Sequence, residues 1–241
     1  MKRIVLLLVA ICFLGSNAMA GRTYVLVAGV SSYQNAEANL PTTTVDVKRI
    51  SEIMKQHTRD VSVITSRYAN RNNILDKLQK IANAAQTGDR IIFYFSGHGS
   101  TGHILAYDMK PVYYYEMIDM LAASKADTKM VFIDACMSGS STAAEETASW
   151  RKRLVDGNIV FMVASREDEY ATADNMLNAG WFSHAFIKGI RGLSDANEDK
   201  NITVMELYTF VYNDVVQRSK ERQHPQLIAT KEHQNDVIVS W

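Results

Sequence analysis

Cysteine is almost missing from this chain, which holds only Cys12 and Cys136 in 241 residues. Two cysteines cannot build a disulfide framework or a multi-thiolate metal site. Proline is nearly as scarce, at three residues, and no Pro/Gly linker, low-complexity tract or internal repeat divides the chain. One domain is therefore expected. Net charge is also missing: 26 basic residues balance 26 acidic ones. A balanced surface gives no reason to expect nucleic acid or an anionic membrane as partner. No Gly-rich phosphate loop follows the first apolar run at Val30, which argues against a nucleotide-binding or flavodoxin-like regulatory domain.

The longest apolar run is short and lies at the start. Met1-Lys2-Arg3 precede Ile4 to Leu14, then Gly15-Ser16-Asn17-Ala18-Met19-Ala20. A basic start, a short apolar stretch and an A-x-A ending predict a secretory signal over residues 1–20, cleaved before Gly21. Eleven apolar residues are too few to span a bilayer, so no stable membrane anchor is expected. Ile11 before Cys12 is not the small residue that a lipoprotein needs. The expected location is outside the cytoplasm, secreted or periplasmic. Cleavage leaves residues 21–241 with 24 basic residues (26 − 2) against 26 acidic, a net of −2. It also leaves Cys136 as the one thiol. A lone cysteine in an exported chain is either buried and inert or kept for chemistry.

What is present is an alternation of strand-like and helix-like segments. Strands are expected at Thr23–Val30, Val61–Thr65, Arg90–Phe95, Thr128–Asp134 and Asn158–Ala164, with a short extra strand at His103–Tyr107. Helices are expected at Val45–Gln56 (capped by Thr42 to Thr44), Asn70–Ala85, Glu116–Ala123, Phe182–Arg191 and Thr203–Lys220. Ser138 to Asp156 reads as a polar loop. His224-Pro225-Gln226 breaks the pattern, and Asp236 to Trp241 reads as an edge strand. The fold class is α/β, with a mostly parallel sheet covered by helices on both faces.

Two strands end in reactive residues. Ile91-Ile92-Phe93-Tyr94-Phe95 runs into Ser96-Gly97-His98-Gly99, and Met130-Val131-Phe132-Ile133 into Asp134-Ala135-Cys136-Met137-Ser138-Gly139. Parallel sheets keep their sites at the carboxyl ends of strands. A thiol and an imidazole brought together there form a nucleophile with its general acid/base. Backbone N–H groups of Cys136 and of Gly99 or Gly97 are candidate donors to an oxyanion. His57, His103, His184, His224 and His233 lack the strand-end setting and read as surface or structural.

This pair of motifs resembles the caspase-like cysteine peptidases, from about Tyr24 to Tyr212, and metacaspases more closely than animal caspases. The caspase signature has Gln two residues before the Cys and a His about 50 residues upstream. Here Asp134 stands in that place and His98 is 38 residues upstream. The resemblance implies a caspase-like fold and an endopeptidase using the dyad Cys136–His98. It implies a pocket for Arg or Lys built from Asp134, Ser96 and Asp46, with Thr43 where metacaspases often have Cys. Departing from the pattern, Val45 replaces the usual Asn before Asp46. Trp150-Arg151-Lys152-Arg153 matches that specificity and marks Arg151, Lys152 and Arg153 as expected self-cleavage positions. The competing reading is a catalytically silent caspase-like module that binds partner proteins.

No cofactor is required by this chemistry, but Asp195 to Glu206 has EF-hand spacing. Asp195, Asn197, Asp199, Asn201 and Glu206 are candidate calcium ligands, and Lys200 replaces the glycine of the sixth position. The alternative is an ion-free helix-capping loop.

Overall fold

The computed structural model describes residues 21–136, 144–171, 173–174 and 179–241. The expected signal segment and Met137 to Gly139 lie outside them. In chain order the elements are β1 (Thr23–Gly29), α1 (Thr42–His57), β2 (Val61–Thr65), α2 (Arg71–Ala84) and β3 (Arg90–Ser96). Three short strands follow, β4 (Gly99–Ser100), β5 (His103–Leu105) and β6 (Pro111–Tyr113). Then come α3 (Tyr114–Ala122), β7 (Thr128–Asp134), α4 (Ala144–Asp156), β8 (Ile159–Val163), β9 (Ala173–Asp174), β10 (Ala179–Gly180) and α5 (Trp181–Lys188). β11 (Asn201–Thr203), α6 (Val204–Ser219), β12 (Gln226–Ile228) and β13 (Val237–Ser240) complete the chain.

Six strands form the central sheet in the order β12-β8-β7-β3-β1-β2. All neighbours are parallel except β12, which runs antiparallel to β8. The inner strands β1, β3, β7 and β8 read as apolar runs because both faces are covered. Alternate residues serve opposite layers. Phe93, Phe95, Val131 and Ile133 pack with Ile74 and Leu78 of α2, Leu121 of α3 and Leu154 of α4. Ile92, Tyr94, Met130 and Phe132 pack with Ile50 of α1, Phe186 of α5 and Val211 of α6. At roughly 1.5–3 kcal/mol for each large apolar side chain fully buried, these two layers supply most of the stabilisation. Among the described residues no helix is long and apolar enough to cross a membrane.

The structure departs from the sequence expectations in three places. α1 starts at Thr42, and its N-cap is Pro41 with no side-chain cap. Asp46 therefore lies inside the helix, on the buried stripe Thr43, Asp46, Val47, Ile50. Ala144 to Asp156 is a helix and not a loop. Its polar majority hides the pair Trp150 and Leu154, one turn apart and both buried. Finally, the sheet edge is β12, in the stretch read as a break. Asp236 to Trp241 supplies β13, which pairs with β11 in a separate two-stranded sheet.

Candidate active site

β3 and β7 lie side by side in parallel register, and their last residues, Ser96 and Asp134, are partners. The Gly97 N–H continues the ladder by donating to the Asp134 carbonyl at 3.1 Å. His98 and Cys136 each stand two residues beyond this matched pair. The same register thus delivers imidazole and thiol to one end of one sheet, and both line a cleft of about 110 Å³.

His98 is fixed at both ends. Its backbone N–H donates to the Tyr33 hydroxyl at 2.6 Å, and its Nε2 lies 2.9 Å from the Ala38 carbonyl. A carbonyl only accepts, so Nε2 carries the proton and Nδ1 is the nitrogen that can take one from a nucleophile. Ala38 ends a one-turn 3-10 helix, Ala36–Ala38, capped by Asn35. Tyr33 is buried, and its ring centroid is 5.0 Å from that of His98. Burial raises the Tyr33 pKa, so the phenol stays neutral. A Cβ on Gly97 would stand 2.8 Å from the Tyr33 hydroxyl oxygen and 2.8 Å from the Phe95 ring, so only glycine lets the chain turn here. Sequence reasoning found no orienting group for the imidazole; the Ala38 carbonyl and Tyr33 fill that role. Both lie some 60 residues upstream of His98, at separations of 60 and 65.

Cys136 is half-buried, and its Sγ lies 3.7 Å from the Ala171 carbonyl. Burial raises the thiol pKa, and the charge of Asp134 adds to this, while the Ala171 contact opposes it. Burial therefore favours the neutral thiol. Gly99 lies against the Cys strand: a Cβ there would be 2.9 Å from the Ala135 side chain and 3.2 Å from the Cys136 carbonyl oxygen. The backbone at Gly99 thus packs closely against the turn that carries Cys136.

Two carboxylates, Asp46 and Asp134, line the same cleft. Asp46 is 1% and Asp134 7% exposed. Asp134 Oδ2 accepts the Ser183 N–H at 3.1 Å and the Ser183 hydroxyl, which Tyr94 Oη approaches at 2.5 Å. Asp46 Oδ2 has weaker support, from Ser96 Oγ and the Gly180 N–H, each at 3.4 Å. Ser96 Oγ is also 3.4 Å from Thr43 Oγ1. Asp46 Oδ1 is buried with no partner. Among the described residues no Lys, Arg or His pairs with either carboxylate. Burial, then the neighbouring Asp134, pushes Asp46 well above the carboxylate range; burial raises Asp134 as well. Ser183 and Gly180 were invisible to sequence reading, because neither belongs to a motif.

The remaining candidates lie elsewhere. Arg151, Lys152 and Arg153 sit on α4, ion-paired with Glu167 at 3.0 Å, Asp156 at 2.6 Å and Asp119 at 2.6 Å. They do not offer the extended backbone that a peptidase cleaves. In the 195–206 loop the carboxylates close the loop on itself. Asp195 accepts the N–H groups of Asp199 and Lys200 at 3.2 and 3.0 Å, and Asp199 accepts that of Asn201 at 2.8 Å. The Asn197 side-chain amide donates to Asp199 at 3.1 Å, and Glu206 caps α6 through Thr203. Lys200 adopts φ +66°, the left-handed conformation that glycine would hold without cost. Among the described residues no group of three or more His, Cys, Asp or Glu gathers to hold a metal.

The family model described as "Caspase domain" matches residues 22–235. The chain belongs to the caspase-domain family. That family implies cysteine peptidase activity. Among solved structures, caspase-1 from Spodoptera frugiperda is similar with a TM-score of 0.65 at 17% identity, covering 87% of each chain. A structural-genomics protein from Geobacter sulfurreducens is similar with a TM-score of 0.66 at 14% identity, covering 89% of this chain and 97% of that one. At these identities the two structures support the fold alone. Among curated proteins none matches significantly.

Proposed function

We propose that this caspase-domain chain is an exported cysteine endopeptidase that cleaves after Arg or Lys. One observation carries the specificity: the cleft is lined by two buried carboxylates, one with an unpartnered oxygen. A guanidinium or ammonium supplies the missing donors and the missing positive charge. An acidic side chain would bring a further negative charge into a desolvated site that already disfavours its own. The Ser96 hydroxyl adds one polar contact at the pocket wall.

In this reading the substrate's basic side chain enters beside Asp46 and Asp134 and sets its carbonyl over Cys136. His98 Nδ1 takes the thiol proton, and the thiolate attacks the carbonyl carbon. N–H groups of Gly99 and Cys136 receive the oxyanion. His98 then returns the proton to the leaving amine, and water hydrolyses the thioester with His98 as base. The signal-like residues 1–20 favour export, and no nucleic acid or stable membrane anchor enters this reading. Self-cleavage at Arg151, Lys152 or Arg153 belongs to it only after α4 unwinds.

Fluorogenic peptides ending in Arg, Lys, Asp or citrulline test the proposal. Arg and Lys should be cut and Asp should not, with activity lost in Cys136→Ala and in His98→Ala. A preference for Asp would refute the pocket assignment. The contact of the thiol with Ala171 favours a second reading, a silent module that binds proteins. An Arg-directed covalent inhibitor separates the two, because it labels Cys136 of an enzyme and not of a silent module.

A further inference from the structure

The acid pocket is built for one negative charge, not two. Asp46 and Asp134 converge on Gly180: its N–H is 3.4 Å from Asp46 Oδ2, and a Cβ on it would stand 2.4 Å from Asp134 Oδ2. The donors are unevenly divided. Asp134 has the N–H and hydroxyl of Ser183 at hydrogen-bonding distance, whereas Asp46 has two contacts of 3.4 Å on one oxygen, a weaker influence of the same Ser183 side chain, and no partner on its other oxygen.

The groups packed around the pair do not balance the charge. β3 contributes Tyr94, whose hydroxyl stays protonated because burial and both carboxylates raise its pKa. α5 turns Ser183 inward, while His184 and Lys188 lie towards Asp214 on α6. On α1, Lys48 is exposed and Arg49 half-buried, both off the stripe that carries Asp46. His98 and Cys136 line the same cleft.

We propose that in the free enzyme Asp46 and Asp134 share one proton, and that the substrate's basic side chain displaces it, so each Arg or Lys bound releases one proton to solvent. The inference rests on the basic specificity proposed above and adds a regulation of that site. Two like charges in a desolvated pocket do not both ionise, so the pair titrates as a unit. The proton resides mainly on Asp46, which has the poorer donors and an oxygen with no partner. An incoming cation reverses the balance and favours both carboxylates ionised. Affinity for a basic side chain therefore falls on acidification, about tenfold per pH unit where the pair holds its proton. An uncharged twin of the same shape displaces no proton and keeps its affinity. The enzyme's preference for charge is then set by the pH of its surroundings.

Calorimetry of full-length Cys136→Ala tests this without turnover. A peptide ending in arginine amide and its citrulline twin are titrated at about pH 6, where ordinary carboxylates are already ionised. Two buffers of different ionisation enthalpy give the number of protons released. The expected result is about one proton for the arginine peptide and none for citrulline. Asp46→Asn should bind arginine more weakly, release no proton and lose the pH dependence. Arginine binding with no proton release by the Cys136→Ala protein overturns the proposal, whatever the behaviour of Asp46→Asn. If the citrulline peptide binds and the arginine peptide does not at any pH, the basic-specificity reading fails, and this proposal fails with it.

Discussion

Replacing Asp46 with Asn keeps the shape of the side chain and removes its charge. Asp46 is 1% exposed, and its Oδ1 has no partner. A buried polar group left without a partner costs roughly 1–3 kcal/mol, and more when charged. In the unfolded chain the residue titrates near ~3.9. In the folded chain burial and Asp134 raise it well above that. Between those two values the folded state binds more protons than the unfolded state. Stability therefore falls as pH rises through the window, by up to ~1.4 kcal/mol per pH unit, and levels off above it. Below about pH 4 both states are protonated, so wild type and Asp46→Asn should unfold at nearly the same temperature. At about pH 9 the variant should be more stable by roughly 1–3 kcal/mol or more. For a chain of this size each kcal/mol moves Tm by about 2–4 °C. Thermal unfolding of both proteins across this pH range reads the effect directly. The same variant should lose kcat/KM on Arg and Lys substrates by at least about tenfold, since a charge-assisted contact contributes roughly 1.5–3 kcal/mol. A variant less stable than wild type at high pH, or a Tm difference that does not change with pH, would refute the claim that this carboxylate is held against its own folding cost.

Three further outcomes are expected. Tyr33→Phe removes the acceptor for the His98 N–H and should lower kcat several-fold while leaving KM nearly unchanged; a change confined to KM would place Tyr33 in substrate binding instead. Purified wild type should remain a single chain at Arg151 to Arg153 while turning over peptide, because the cluster is helical and ion-paired; fragments ending there by mass spectrometry would show that α4 opens readily. Peptidase activity should be unchanged by millimolar calcium or by a chelator, because the carboxylates of the 195–206 loop are engaged by its own N–H groups and by Thr203; calorimetric calcium binding to Cys136→Ala that is lost in Asp195→Ala/Asp199→Ala would restore the ion site.

The four inner strands of the central sheet were legible because burial on both faces leaves an apolar run. Thr128–Asp134 and Val61–Thr65 match their expected bounds to the residue. α4 was not legible, since the buried pair Trp150 and Leu154 among charged neighbours makes too weak a periodicity. β12 was not legible either. Three residues hold no pattern, and their place is decided by the open edge of β8. The site divides in the same way. Cys136, His98, Asp134 and Ser96 sit in motifs at strand ends, where small residues make them conspicuous. Tyr33 and Ala38 act on His98, Ser183 on Asp134 and Gly180 on Asp46, across 49 to 134 residues of sequence, through a backbone carbonyl, a hydroxyl or an N–H that many residue types supply.

The two motifs share one construction, which explains why dyad and pocket arrive together. Ser96-Gly97-His98 and Asp134-Ala135-Cys136 each consist of a pocket residue, a small residue and a reactive one. Ser96 and Asp134 are register partners, and each follows by two a residue of the α1/α5/α6 layer, Tyr94 and Phe132. Residues two apart in a strand face the same way. Both pocket side chains therefore point into that layer, where α1 brings Asp46 and α5 brings Ser183. Past the strand ends the chain is released from the ladder, and the small residue lets it turn so that the next side chain reaches the sheet's edge. A single shift in register between β3 and β7 would separate His98 from Cys136 and Ser96 from Asp134 together. The proposed chemistry and specificity thus depend on one structural relation, the pairing of two buried parallel strands.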